Sequence, residues 1–370
     1  MAELMLFSAT ENDGFAKQLA QTMGIELSPV KYKSFLGAVP GGEETLPEVM
    51  CNVSGRTAVV VWSVGKTNYE LVQVCQLIDA LKSAGEAKKV ILAVPCYPYA
   101  RQDKRHGRRE SITAQLTARI LEASSMDSIV YVDIHADQIE GFFRKAIARG
   151  LWMDEILMHY LPARLEGILR NLGLTVDKIR SMSLDEGSVN LNYRVARKLE
   201  HIMAVHIKKR NWDSRHSVQS LGIAGSLEGC VVYSRDDLLA SGDSGITGAA
   251  EAKARGAKYV IEVITHGLGF DKPSEIKDGK EVIHKGFIEK LNDSAIDELV
   301  VTNSVSAFVK RVIVDPELQK KVSILDVTPF FATVLARNNK GSTIREMMVD
   351  VKPENLYKVL FESEQARKMR

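Results

Sequence analysis

One stretch, Val90 to Phe143, narrows most what this chain can fold into. It opens with VILAV, a run of branched apolar residues ended by Pro95 and Pro98, which suits a buried strand feeding a loop. The loop is basic. Arg101, Lys104, Arg105, Arg108 and Arg109, with His106 among them, gather more like charge than a core can bury and suit an oligophosphate. Ser111 is the expected cap of a helix whose Ile112, Leu116, Ile120 and Leu121 keep helical spacing. Ile129 to Val132 then reads as a second buried strand running directly into Asp133, His135 and Asp137. Open α/β sheets gather ligands at the carboxyl ends of their strands, so a carboxylate and imidazole cluster there is a candidate metal or acid/base site.

The alternation of strand and helix continues on both sides. Residues 4 to 8 read as a strand, followed by a helix from about Asp13 that Gly24 ends. Val39 to Glu48, VPGGEETLPE, reads as a loop, Thr57 to Trp62 as a strand, and Asn68 to Ala84 as a helix through Leu71, Val74, Cys75, Ile78 and Leu81. After Phe143 the pattern restarts with a helix over 151–173 that packs through Trp152, Ile156, Leu157 and Tyr160. Short strands follow near 179–184, 202–207, 230–234, 259–265, 298–302 and 322–327. The expected fold class is α/β, with two domains at 1–150 and 151–345, each a mostly parallel sheet flanked by helices, and a charged tail at 346–370 that ends in a helix.

A chain of 370 residues, 45% of them hydrophobic, has room for two cores. A formal net charge of +2 gives no global electrostatic case for nucleic acid or a membrane as partner. Cys51, Cys75, Cys96 and Cys230 are scattered, without the close pairs of zinc or redox sites. The N-terminus lacks a basic segment followed by a long apolar one, and no apolar run approaches membrane-spanning length, so the expected compartment is the cytoplasm.

The run PYARQDKR, followed at this distance by VDIHADQIEGFF, closely resembles the ribose-phosphate diphosphokinase family, also called phosphoribosyl pyrophosphate synthases. The resemblance spans about residues 30 to 335 and weakens over 144–178 and 268–288. It implies two type I phosphoribosyltransferase-like domains in a homo-oligomer, dimer-based with the hexamer as one form, and an active site between the domains to which a neighbouring subunit adds ATP contacts. It also implies transfer of the β,γ-diphosphate of ATP to the C1 hydroxyl of ribose 5-phosphate, with Mg²⁺ as cofactor and AMP as product.

Residue by residue, the resemblance implies ATP contacts at Arg101, Gln102 and Asp103, a metal-associated His135, and catalytic cations at Lys208 and Arg210 in HIKKR. In an extended segment, residues two apart share a side, so both cations can face one phosphate chain. Asp185, in MSLDEGS, matches an aspartate that helps hold magnesium and ribose, although Leu184, Glu186 and Ser188 depart from the family's run. Asp236 and Asp237 match the acids of the ribose-phosphate loop, which continues through Ser241, Gly242, Asp243 and Ser244. The loop keeps its length, but Ala240 replaces an expected acid and Asp243 an expected glycine. Upstream, the adenine-contacting segment keeps only Glu44 of its pattern, with Pro40 and Gly42 departing. Thr265 to Gly267, Thr302 with Asn303, and Ser323 to Pro329 echo structural turns and the late strand of the family.

Asp243 bears on the acceptor. A phosphate monoester carries close to two charges, and a carboxylate a few ångströms away opposes it by several kcal/mol unless a cation or a displacement relieves it. The expected acceptor is therefore a 5′-extended ribose such as ADP-ribose, whose product could feed NAD synthesis, with ribose 5-phosphate as the alternative. Two further readings stay open. One is a non-catalytic regulatory subunit of the same family; the other is nucleic-acid binding through Arg101 to Arg109, which salt would abolish steeply.

Overall fold

The structure, a computed structural model, describes residues 4–11, 13–35, 37, 44–65, 67–105, 107, 109–184, 187–210, 218–269, 275–277, 280–282, 286–337, 343–348 and 351–369. The chain forms two compact units, and neither is one continuous segment. The first comprises Met1–Trp152, Ser304–Ser306 and Val327–Tyr357; the second comprises Met153–Asn303, Ala307–Asp326 and Lys358–Arg370.

In the first unit the strands are β1 (Leu4–Ser8), β2 (Val30–Phe35), β3 (Glu44–Val49), β4 (Thr57–Val61), β5 (Lys89–Ala93), β6 (Ser128–Val132) and β7 (Ile147–Leu151). Its leading helices are α1 (Gly14–Met23), α2 (Thr67–Asp79) and α3 (Thr113–Ala123). The strands β1-β4-β5-β6-β7 make one sheet, parallel at every pairing, and β2 and β3 pair separately as an antiparallel hairpin. Val90, Leu92, Ile129 and Tyr131 from the sheet meet Leu77, Ile78 and Leu121 from the helices in one buried core.

The second unit begins with α4 (Asp154–Leu172), β8 (Ile179–Ser183), α5 (Val189–Lys198), β9 (Ile202–Arg210), β10 (Val218–Ala224) and β11 (Val231–Leu239). It continues through α6 (Asp243–Ala254), β12 (Tyr259–Gly267), the short pair β13 (Glu275–Lys277) and β14 (Lys280–Val282), and α7 (Phe287–Asp293). Then come β15 (Glu298–Thr302), α8 (Ser306–Val314), α9 (Pro316–Gln319) and β16 (Val322–Asp326). The chain next returns to the first unit with α10 (Thr328–Ala336) and α11 (Ile344–Met347), before β17 (Lys358–Phe361) and α12 (Glu364–Lys368) rejoin the second. The second sheet runs β10-β9-β8-β11-β12-β15-β16-β17, with its two outermost strands antiparallel and the rest parallel.

Several boundaries differ from the sequence reading. The helix after the basic loop starts at Thr113; Ile112 stands at its cap and makes no side-chain hydrogen bond, so Ser111 is not the cap. Glu44–Val49, read as loop, is a strand, and the rest of that predicted loop, at 39–43, lies outside the described residues. Pro47 is tolerated because a two-stranded hairpin leaves the outer side of each strand unpaired. Helix α4 begins only at Asp154, since Leu151 closes β7, so Trp152 precedes the helix while Ile156, Leu157 and Tyr160 are buried as expected. The C-terminal end departs from a single cut near 345 followed by a tail: 327–357 belong to the first unit, and β17 extends the second sheet.

The α1 boundaries match the sequence reading. Gly24 closes the helix at φ 65°, and Asp13 opens it, its side chain accepting from the N–H groups of Phe15 (2.9 Å) and Ala16 (3.2 Å). Asp13 also receives the Ser63 N–H at 2.7 Å and the Ser306 hydroxyl at 3.3 Å, tying α1 to the chain just after β4 and to the Ser304–Ser306 segment of the same unit. Burial pushes its carboxyl from 3.8 up to about 6, against the pull of these donors. Between those values the folded chain holds the proton more tightly than the unfolded one, so this group's contribution to stability falls as pH rises through the window. On going from about pH 4 to about pH 7, the wild type should lose on the order of 3 kcal/mol relative to Asp13→Asn. Denaturant melts of both proteins at the two pH values check this, and a pH-independent difference would refute it.

Candidate active site

The two most informative sequence regions fall at carboxyl ends of parallel strands, one set in each unit. In the first unit the chain leaves β5 through Tyr99, at φ 57°, and leaves β6 through Asp133, at φ 37°. Positive φ in non-glycine residues is uncommon and clusters at functional sites. The Asp133 N–H is held at 2.8 Å by the Leu151 carbonyl, and the Gln102 N–H at 2.8 Å by the Tyr99 carbonyl. These bonds set the two loop roots, and the N–H of Ala114 on the Gln102 carbonyl (3.2 Å) ties the basic loop to α3.

Within that loop Arg101, Gln102, Lys104, Arg105 and Arg109 are exposed, whereas Asp103 is 7% exposed and accepts from the Gln138 side chain. Asp103 therefore braces the loop against the 3-10 turn at Asp137–Phe142, while Arg101, Gln102 and Lys104 beside it are exposed. His106 and Arg108 lie outside the described residues. His135 and Asp137 are both exposed just beyond β6. Glu44 stands exposed at the start of β3, paired with Phe35; Pro40 and Gly42 are outside the described residues.

In the second unit Asp185, and Glu186 after it, lie outside the described residues. Lys208 and Arg210 close β9, opposite Ser220 and Val218 of β10; of their side chains nothing is described. Asp236 and Asp237 occupy the partly exposed end of β11, after five buried residues, and the Asp237 N–H caps the Asp236 carboxylate at 2.9 Å. The small-residue turn follows through Ala240 and Ser241 to Gly242, whose φ of 76° is the left-handed turn that only glycine makes cheaply. Helix α6 starts at Asp243, so its first turn opens toward this loop.

Asp243 does not stand alone. Its Oδ1 takes the Lys290 ammonium of α7 at 2.8 Å, and its Oδ2 takes the Ser241 hydroxyl at 2.9 Å. The same ammonium reaches the Ser241 carbonyl at 2.9 Å. The cation that would relieve a carboxylate in this loop is thus present, which corrects the expectation of an uncompensated charge. Ser244 is exposed in the first turn of α6. Gly245 follows; a Cβ there would lie 2.0 Å from Oε1 of Glu262, a residue of β12 that is 2% exposed.

Among the described residues no three His, Cys, Asp or Glu side chains converge on a metal position. Magnesium keeps its waters and phosphate oxygens and asks a protein for one or two carboxylates rather than a cage, a light hold that Asp137 beside His135 fits. Sequence reasoning did not single out Gln138, Asn192, Arg235, Gly245 or Lys290. Arg235 had a signal, since a lone arginine in the apolar strand VVYSR needs a buried partner. Lys290 had none, because its role depends on where α7 packs.

A family model described as the N-terminal domain of ribose phosphate pyrophosphokinase matches residues 4–124. A ribose-phosphate pyrophosphokinase of Fusobacterium nucleatum subsp. nucleatum is 30% identical over 345 residues, covering 92% of this chain and 97% of that protein. One of Ralstonia nicotianae is 28% identical over 352 residues, covering 94% and 98%. Among solved structures, a phosphoribosylpyrophosphate synthetase from Mycobacterium smegmatis superposes with a TM-score of 0.73 at 26% identity, over 91% of this chain and 100% of that one.

The crowding at Gly245 generates a test. Gly245→Ala should destabilise the protein by about 1–3 kcal/mol, because the added methyl meets a buried carboxylate. Ser244→Ala, one residue earlier and exposed, should leave the melting temperature nearly unchanged. Equal melting of Gly245→Ala and the wild type would mean that Glu262 yields, contrary to this packing.

Proposed function

The chain belongs to the ribose-phosphate pyrophosphokinase family, diphosphotransferases built from two phosphoribosyltransferase-like domains, and we propose that it transfers the β,γ-diphosphate of ATP to the C1 hydroxyl of a ribose unit with release of AMP. The observation that carries this reading is the presence, on one chain, of the exposed Arg101–Gln102 loop after β5 and of an acid pair closing β11 ahead of a glycine-started helix.

The C1 oxygen attacks the β-phosphorus, the bond from that phosphorus to the α,β-bridging oxygen breaks, AMP leaves with that oxygen, and the hydroxyl proton is released. Arg101 and Gln102 hold the triphosphate, Asp103 keeps their loop in place, and Asp236 with Asp237 accept hydrogen bonds from the ribose hydroxyls. Lys208 and Arg210 meet the charge that grows on the transferring group, the kind of contact that stabilises a transition state more than a ground state. His135 and Asp185 are the residues that would help hold magnesium, which would supply charge neutralisation to the phosphates. Glu44 is assigned to the adenine end of ATP.

For the acceptor we propose a 5′-extended ribose, ADP-ribose. The loop at Ser241–Ser244 carries a carboxylate whose neutralising ammonium and one hydroxyl are already committed to it, so the ion pair brings little net charge to the site. A singly charged diester suits such a site better than a dianionic monoester, and its product would feed NAD synthesis. The second reading, ribose 5-phosphate, is favoured by the same ion pair: Lys290 removes most of the repulsion that Asp243 would otherwise exert.

We place the enzyme in the cytoplasm as a homo-oligomer. All four cysteines are unpaired, as suits a reducing compartment, and no described helix is long and apolar enough to cross a membrane. Phe35, Leu46 and Met50 on the β2–β3 hairpin are about half exposed, an apolar face that a second copy could cover.

Two measurements test the reading. With ATP, Mg²⁺ and a ribose acceptor, AMP should appear in step with the new product, and stoichiometric ADP would eliminate diphosphoryl transfer. In direct competition ADP-ribose should outrun ribose 5-phosphate, and Ala240→Asp with Asp243→Gly should reverse the order. Strong preference of the unmodified protein for ribose 5-phosphate, or a preference that the double variant leaves untouched, would overturn the ADP-ribose assignment.

A further inference from the structure

Strand β11 delivers Asp236 and Asp237, yet its neighbour β8 abandons it before they are reached. The two strands pair from Val231↔Ile179 to Tyr233↔Ser181 and no further. On the far side β12 continues alongside to Leu239↔Gly267. In a parallel ladder a residue's N–H and C=O point to the same side, so Arg235 turns both toward the place that β8 has left. Both are filled from α5. The Asn192 Oδ1 accepts the Arg235 N–H at 2.8 Å, and the Asn192 Nδ2 donates to the Arg235 carbonyl at 2.8 Å. The side-chain amide thereby stands in for a peptide of the missing strand.

The second hydrogen of that amide goes to the Ser188 carbonyl at 2.8 Å, and the Ser181 hydroxyl lies 3.5 Å from its oxygen. Asn192 is wholly buried and every polar position it has is used. One side chain thus anchors both the last ladder step before the two acids and Ser188 at the start of α5. The Arg235 side chain is fixed as well. Its guanidinium pairs with Oδ1 of Asp154, whose other oxygen lies 2.9 Å from Arg194, the next residue but one along α5 from Asn192. Both Arg235 and Asp154 are almost fully buried, and a pair of that kind resists displacement because separating it strands a charge.

We propose that Asn192 is a positioning residue for the acceptor site: by completing the ladder at Arg235 it sets the exit direction of Asp236 and Asp237. This inference rests on the assignment of those two acids to the ribose. Asn192 itself touches no substrate in this account, so its loss should be read in acceptor binding rather than in ATP binding.

The test compares Asn192→Ala with Val195→Ala, which empties an equally buried position on the same helix and removes no side-chain hydrogen bond. Asn192→Ala should raise the KM for the ribose acceptor tenfold or more and leave the KM for ATP within twofold. Val195→Ala, at a similar loss of melting temperature, should change the acceptor KM less than twofold. Hydrogen–deuterium exchange supplies a readout independent of turnover: amides in 232–240 should exchange at least tenfold faster in Asn192→Ala, with those in 298–302 unaffected. Should Asn192→Ala fail to fold, Asn192→Asp keeps the shape, loses both donors and carries the same expectations. Unchanged exchange over 232–240, or equal shifts of acceptor KM in the two alanine variants, would overturn the proposal. Faster exchange in a protein that releases no AMP even as wild type would instead uphold the positioning and remove the proposed reaction.

Discussion

Strands buried on both faces leave a chain very few places to be polar. Ser128–Val132, Glu298–Thr302 and Val322–Asp326 are buried at every residue, so neither side of these strands reaches water. The backbone polarity of such strands is consumed by the parallel ladder, and chemistry is confined to where the chain leaves the sheet. β11 shows the changeover within one element, apolar through Tyr233 and acid-bearing at Asp236. Glu298 enters the interior with its partner, Arg164, at 2.6 Å, the Ser323 hydroxyl at 3.0 Å adding a further bond. Removing one member of a buried pair commonly costs about 3–5 kcal/mol, which keeps these positions interdependent.

Local signals carried much of the architecture. Asp13 and Gly24 announced α1 because capping chemistry acts within a few residues, and the apolar runs at 90–94 and 129–132 announced β5 and β6 because a strand without a wet face has no reason to alternate. Ser111 misled for the same local reason: a capping residue type is necessary there but the chain enters α3 two residues later, with Gln102 already holding Ala114. The β2–β3 hairpin was hidden by Gly41, Gly42 and Pro47, whose turn-forming character masks a strand that has only one partner to satisfy.

The candidate site divides along the same line. Candidate residues placed by their own strand or loop, such as Arg101, Asp236 and Gly242, could be read in order along the chain. Residues that act by reaching another segment could not. Lys290 on Asp243, Gln138 on Asp103 and Asn192 on Arg235 are separated from their partners by 47, 35 and 43 positions. In each case the visible residue is the one whose charge or turn attracts attention, and the hidden one decides what that charge can do. Asp243 is the clearest example, since a lone carboxylate and one tied to an ammonium make opposite statements about an anion nearby.

The crossing of the chain between units has a consequence for how the protein is made. Helix α1 packs against α10, with Phe15 and Phe331 edge to face at 5.2 Å, so the first unit lacks part of its core until nearly the whole sequence has been translated. At roughly 5–20 residues per second a ribosome separates the two helices by on the order of tens of seconds, far longer than local collapse requires. Throughout that interval the part of α1 that α10 covers lacks its cover, and how well it is shielded there bears directly on how much of the enzyme is produced intact.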